Sequence, residues 1–278
     1  MASITSRETS VDEVRGGRSR SCADHLAVEE PMEIRLRTDG PGGTAARERS
    51  ISVTMRTPGD DAELAVGFLF TEGLIRSRKE IASVETTRDN IVTVNLAPGV
   101  TMAPKSVERN FYMTSACGVC GKNSIDAVRV APASPLTAGP TIGADLIHAL
   151  PAALRERQET FETTGGLHAA GLFDTSGRMS LLREDVGRHN AVDKLIGALL
   201  LADALPAASS ILVVSGRAGF ELVQKALIAQ IPIFAAVGAP SSLSAALAAE
   251  AGMTLLGFVR DGRFNVYSGR ERLKFSEA

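Results

Sequence analysis

The sequence predicts an α/β protein: a β-rich N-terminal module followed by a three-layer α/β domain. Three observations predict it. Apolar residues alternate with charged ones at Met32, Ile34 and Leu36 and with polar ones at Ile51, Val53 and Met55, the period of half-buried strands. From about Gly143 the texture changes to longer helical stretches separated by short apolar runs, the pattern of strands covered by helices. Hydrophobic residues make up 44% of the 278 and charged residues 22%, enough apolar material to offset the entropy of ordering.

Taken in order, residues 1 to about 28 are rich in Arg, Ser and Glu without apolar periodicity and are expected to form a disordered leader. The β-rich module covers residues 29–110. Within it Asp60 and Asp61 offer N-caps to a short helix carrying Leu64, Val66, Phe68 and Leu69, and strands at Ala82–Thr86 and Ile91–Leu96 flank an Arg88-Asp89-Asn90 turn. Residues 111–142 form a connection holding the glycine- and cysteine-containing loop Ala116–Lys122. The α/β domain covers 143–278. There a hairpin (Leu167–Phe173, Met179–Leu182) precedes a helix from Arg188 to Leu201 with Val192, Leu195, Ile196 and Leu199 on one stripe. Strand Ile211–Val214, helix Gly219–Gln230, strand Pro232–Val237 and helix Leu243–Ala251 follow. Strands Thr254–Val259 and Phe264–Tyr267 close the chain around an Asp261-Gly262 turn. That order predicts a largely parallel sheet with an antiparallel edge.

Composition excludes several function classes. The net charge of -2 supplies no global basic field for nucleic acid, and aromatics at 4% with no Trp leave no base-stacking platform. Cys22, Cys117 and Cys120 are too few and odd for a secreted disulfide framework. No secretory signal and no apolar run of about 18 residues is visible, so a cytoplasmic protein without membrane association is expected.

Chemistry concentrates in four places. Cys117 and Cys120, in a CxxC flanked by Gly118, Gly121 and Lys122, can meet, bind a metal or hand a sulfur atom between them, and Lys122 favours the nucleophilic thiolate. Structural zinc would need two more soft ligands, and no second CxxC or HxxxH is present, so no metal is assigned. Arg188, His189 and Asn190 follow Gly187 at a helix start that suits an anion, although a capped amphipathic helix with a solvated start explains the same residues. His168 sits among small residues and fits either a site or a hydrogen-bonded core position. Ser215 and Arg217 lie where a buried strand turns into a helix, the place where open α/β sheets bind ligands. Phe258-Val259-Arg260-Asp261-Gly262-Arg263 puts two guanidiniums on one hairpin turn, a phosphate clamp or a solvated turn.

Together these segments resemble the FdhD family, the sulfur carriers that act on formate dehydrogenase. CGVCGK at Cys117–Lys122, GGLHAAGLF at Gly165–Phe173, EDVGRHNAVDKLIG at Glu184–Gly197, SGRAGFELVQKA at Ser215–Ala226 and FVRDGRFNVYS at Phe258–Ser268 carry the resemblance in this order. It implies a sulfurtransferase that takes persulfide sulfur from a cysteine desulfurase and passes it to the molybdenum or tungsten bis-guanine-dinucleotide pterin cofactor, with GDP as a fragment mimic. It also implies formate dehydrogenase as the client, a homodimer, and a C-terminal domain similar to the cytidine deaminase fold. On this chain it makes Cys117 the persulfide carrier, Cys120 its partner, and Phe258–Arg263 the cofactor segment. Deaminase activity does not carry over, because the HxE zinc signature is missing at His168. Two rivals stand beside it: a thiol-disulfide oxidoreductase that uses the same CxxC to move electrons, and a non-enzymatic chaperone that binds the cofactor and docks on the dehydrogenase, for which the cysteines are dispensable.

Overall fold

The structure is a computed structural model that describes residues 5–39, 47–87, 90–100, 135–136 and 139–275. Its first feature corrects an expectation. Residues 6–27, assigned above to a disordered leader, form a hairpin of β1 (Ser6–Arg15) and β2 (Arg18–Ala27). Gly16 and Gly17 have φ of 55° and 79°, the left-handed pair that a two-residue turn matched to strand twist requires. Composition hid that glycine pair. Glu13 then braces the ribbon by pairing with Arg15 at 2.8 Å and Arg20 at 3.0 Å.

The next sheet has four strands in the order β4-β3-β6-β5: β3 (Glu30–Thr38), β4 (Arg47–Arg56), β5 (Ile81–Thr86) and β6 (Ile91–Leu96). Helix α1 (Asp61–Thr71) covers one face, packing Leu64, Phe68 and Leu69 on Met32, Ile34, Val92 and Val94. The simple alternation over Ile51–Met55 does not survive. Ile34 faces Ser52 while Arg35 faces Ser50, so Ile51 is a bulge that resets the register. Ile51 and Ser52 are both buried and Val53 is 47% exposed. Asp60, expected to cap α1, has φ 56° and makes no side-chain cap bond. Asp61 instead grips the buried Arg56 guanidinium through two contacts of 2.9 Å.

The larger sheet has six strands in the order β13-β12-β11-β10-β8-β9. These are β8 (His168–Phe173), β9 (Met179–Asp185), β10 (Ile211–Val214), β11 (Ile233–Ala236), β12 (Thr254–Arg260) and β13 (Arg263–Ser268). A two-residue strand β7 (Ile142–Gly143) pairs in parallel with β14 (Leu273–Lys274). Strands β10, β11 and β12 are parallel, and antiparallel strands flank them on both sides instead of at one edge. Strand β9 runs parallel to β10 and reaches it through the crossover helix Arg188–Leu201, while β8, the other arm of the β8–β9 hairpin, lies between them antiparallel to both. Helix α2 (Ala144–Glu156) covers one face through Ile147, Leu150 and Leu154, and the short α3 (Glu159–Thr164) leads into β8. On the other face lie α4 (Arg188–Leu201), α5 (Phe220–Ile228) and α6 (Ser242–Glu250). This is the three-layer arrangement.

Helices α1 and α4 join the two sheets. Gly67 and Gly197 mark their crossing: a Cβ on Gly67 would fall inside the Asp193 carbonyl, and one on Gly197 inside the Glu63 carbonyl. A buried polar seam runs beside the crossing. Asp185 pairs with Lys194 at 2.8 Å and accepts the Thr57 amide at 3.1 Å, and Lys194 also donates to the Thr57 carbonyl. Asn190 donates to the Met55 carbonyl at 2.8 Å, and Lys225 reaches Asp193 at 2.8 Å beside the Thr71 hydroxyl.

Candidate functional site

Strand register brings the predicted residues to one rim. Ala170 faces Val214 and His168 faces Asp185, so the start of β8, the end of β9 and the end of β10 lie together. Parallel pairing adds the ends of β11 and β12. The rim is the carboxyl edge of the parallel strands, where loops leave room for a ligand.

Contacts along this rim are continuous. The Ser215 hydroxyl accepts the Ala169 amide at 2.9 Å, which locks β8 to β10 and leaves the hydroxyl hydrogen to donate. Gly216 lies beside His168, with a Cβ there 3.5 Å from Nδ1. The Gly238 amide donates to the Gly216 carbonyl at 2.9 Å, and the Phe258 amide to the Gly238 carbonyl at 3.0 Å. Arg217 is exposed above Gly238. Gly238 is closely packed: a Cβ there would come 3.0 Å from the Gly216 carbonyl oxygen and 3.2 Å from the Arg217 Cα, so a side chain would need the loop to shift.

Charge at the rim is mixed. Burial holds His168 below the ordinary imidazole range, and Arg188 and His189 push it the same way. His189 is itself buried, with Nε2 3.8 Å from the Glu221 carboxylate, and this neighbouring imidazole holds Glu221 below the usual carboxylate range. Glu221 was missing from the sequence reading. Its signal is an acidic residue in the first turn after Gly219. The start of α4 is also less open than the sequence suggests. Asp185 accepts the Gly187 amide at 2.8 Å and the Asn190 side chain at 2.9 Å, so Asn190 belongs to the seam, and Arg188 remains half-buried at the surface.

The segment 258–263 divides. Phe258 has φ 53°, at an irregularity in the β12–β13 pairing that turns the following residue inward. Val259 is consequently fully buried in the core on the α2 side, and its side chain cannot reach a ligand. Asp261 and Gly262, at φ 54° and 70°, make the tight turn, and Arg260 and Arg263 are cross-strand partners beside it. Arg260 lies 5.8 Å from the Phe258 ring centroid. Arg263 opens onto a groove of about 840 Å³ with His148, Phe264, Tyr267 and Arg270, on the face that carries α2. His168, Arg188, Ser215 and Arg217 are thus gathered around the end of β10, while Arg263 stands at the far end of the rim. Cys117 and Cys120 lie outside the described residues.

The sequence matches the model of the FdhD/NarQ family over residues 27–274. It is 46% identical to a sulfur carrier protein FdhD of Mycolicibacterium paratuberculosis across 97% of this chain and 99% of that one. It is 45% identical to the sulfur carrier protein FdhD of Streptomyces coelicolor across 100% of this chain and 99% of that one. A crystal structure described as a formate dehydrogenase accessory protein, from Desulfotalea psychrophila, superposes with a TM-score of 0.75 at 27% identity, covering 98% of this chain and 100% of the other.

Proposed function

The chain belongs to the FdhD/NarQ family, and from that premise we propose that it is a sulfurtransferase serving formate dehydrogenase. Its sulfur comes from a cysteine desulfurase and goes to the molybdenum or tungsten bis-guanine-dinucleotide pterin cofactor, which is substrate here and belongs to the client. The observation that supports this most is the gathering of His168, Arg188, Ser215 and Arg217 at the end of β10, on a rim that runs on to Arg260 and Arg263. Guanidiniums, a serine hydroxyl and a histidine that can gain a proton are donors suited to diphosphate oxygens. Glu221 and Asp185 beside them limit that site to part of the rim.

The proposed chemistry balances. The Cys117 thiolate attacks the outer sulfur of the desulfurase persulfide; a new S–S bond forms on Cys117 and the desulfurase leaves as a thiolate. Cys120 thiolate then attacks the inner sulfur of Cys117. The outer sulfur departs as sulfide toward the metal, and the Cys117–Cys120 disulfide that remains is reopened by a cellular dithiol. The reaction runs in the cytoplasm, on a homodimer. No helix among the described residues is long and apolar enough to cross a membrane.

Mass spectrometry after incubation with a desulfurase and cysteine tests this. A gain of one sulfur atom on Cys117 supports the carrier role. Formation of only the Cys117–Cys120 disulfide favours a thiol-disulfide oxidoreductase, and full activation of the client by the Cys117→Ala/Cys120→Ala protein favours a cofactor-binding chaperone.

A further inference from the structure

The donors gathered at the end of β10 suit phosphate, and a carboxylate stands beside them. Glu221 lies in the first turn of α5 with its side chain 20% exposed. The His189 imidazole, and Arg188 with it, favour its ionised form. An ionised carboxylate repels phosphate oxygens and can only accept hydrogen bonds, so it weakens the hold on any ligand that brings charge alone. Other carboxylates along the rim are committed elsewhere or lie in solvent. Asp185 is fully buried and serves Lys194, Thr57, Gly187 and Asn190. Glu184 accepts the amides of Thr160 and Phe161 at 3.1 and 3.0 Å. Asp261 is 82% exposed beside Arg260. Glu221 differs from all three, since its own helix amide and His189 draw on only part of a group that accepts about four hydrogen bonds.

We propose that Glu221 holds the ribose of the guanine nucleotide, its carboxylate accepting from the 2′- and 3′-hydroxyls, and so selects a ribonucleotide. This inference rests on the diphosphate site proposed above. The order of groups along a nucleotide chooses the sugar: ribose adjoins the phosphates, and the base lies beyond it. Glu221 is kept at the phosphate end by a tight turn, in which the Gly219 amide donates to the Arg217 carbonyl at 3.1 Å. Gly219 also leaves room for the carboxylate, because a Cβ there would come 3.3 Å from Oε2. Two neighbouring hydroxyls match two carboxylate oxygens, and an acidic side chain close to a phosphate-binding turn meets ribose in the same way in dinucleotide-binding sheets. The repulsion that Glu221 exerts on phosphate is then offset only by a ligand that carries the diol.

Calorimetry on the full chain with GDP and with 2′,3′-dideoxy-GDP tests this. The parent protein should bind GDP about tenfold more tightly than the dideoxy analogue, the worth of a charge-assisted hydrogen bond. Glu221→Ala should abolish that preference and bind the dideoxy analogue at least as tightly as the parent does, because the repelling charge has gone. A purely structural role for Glu221 would weaken both ligands alike, and that result overturns the proposal. Equal parent affinities for the two nucleotides also overturn it, need no variant to fold, and leave the diphosphate site standing. A parent protein that binds neither nucleotide overturns the diphosphate site and the ribose contact together. Xanthosine diphosphate separates sugar from base: Glu221→Gln that comes to prefer it over GDP would put the carboxylate on the guanine edge and overturn the ribose contact.

Discussion

Arg260 and Arg263 stand opposite each other across a turn that holds Asp261 and Gly262 at positive φ. Arg263→Ala should therefore weaken GDP binding by about 1.5 kcal/mol, the worth of a charge-assisted hydrogen bond. Calorimetry in low salt reads this, and equal affinities for both proteins would remove the turn from the site. His168 makes a second prediction through pH. Its folded pKa is held below the ordinary 6.5, so below that value the unfolded chain binds a proton that the folded chain refuses, and stability falls as pH drops toward the lowered pKa. His168→Gln should flatten that part of a urea-midpoint profile. The lowered Glu221 carboxyl adds a loss at lower pH, as pH falls below its ordinary 4.5. An anion on the rim should raise the His168 pKa, so GDP affinity should increase as pH falls through the same interval. At Cys117, alanine should abolish client activation while leaving the circular dichroism unchanged; undiminished formate dehydrogenase activity in cells would exclude Cys117 as the carrier.

Helices α1 and α4 approach so closely at Gly67 and Gly197 that neither position has room for a methyl group. Gly197→Ala should cost about 1–3 kcal/mol of stability, the range for overpacking a close-fitted contact, and a lowered urea midpoint would show it. Helix α4 itself was legible, since its apolar stripe predicts the observed Arg188–Leu201. Its polar residues were not. Asp193, Lys194 and Asn190 look like solvated positions of an amphipathic helix, yet each is buried because α4 packs between the large sheet and α1. The β1–β2 ribbon escaped for the opposite reason: no residue of its two strands is buried, so no apolar alternation marks it, and its Gly16-Gly17 turn is the one local signal.

Across the molecule, the seam makes the two sheets mechanically one. Asp185 binds Thr57, Gly187, Asn190 and Lys194 at once, and removing its charge would leave Lys194 buried without a counterion. Asp185→Asn should destabilise the whole chain by about 3–5 kcal/mol, the penalty for breaking a buried pair from one side. Circular dichroism and hydrogen exchange in urea should show both sheets melting together in the parent protein. Separate melting of the N-terminal sheet would mean that the seam does not couple them.

Much of this protein is written locally. Periodicity marks α4 and the strands from Ile211 onward, and the run of motifs from Cys117 to Ser268 carries the family, because helix stripes, buried strands and glycine turns depend on neighbours a few residues away. Tertiary structure alone decided the rest. Strand register joins His168, Ser215 and Phe258 along one rim across intervals that no sequence spacing measures. Helix packing moves Asn190 from the expected anion site at the helix start into a structural seam with Asp185 and Lys194, and an irregular strand pairing sends Val259 inward. Burial of a polar side chain depends on what the remainder of the chain places over it, and that is settled only when the layers close.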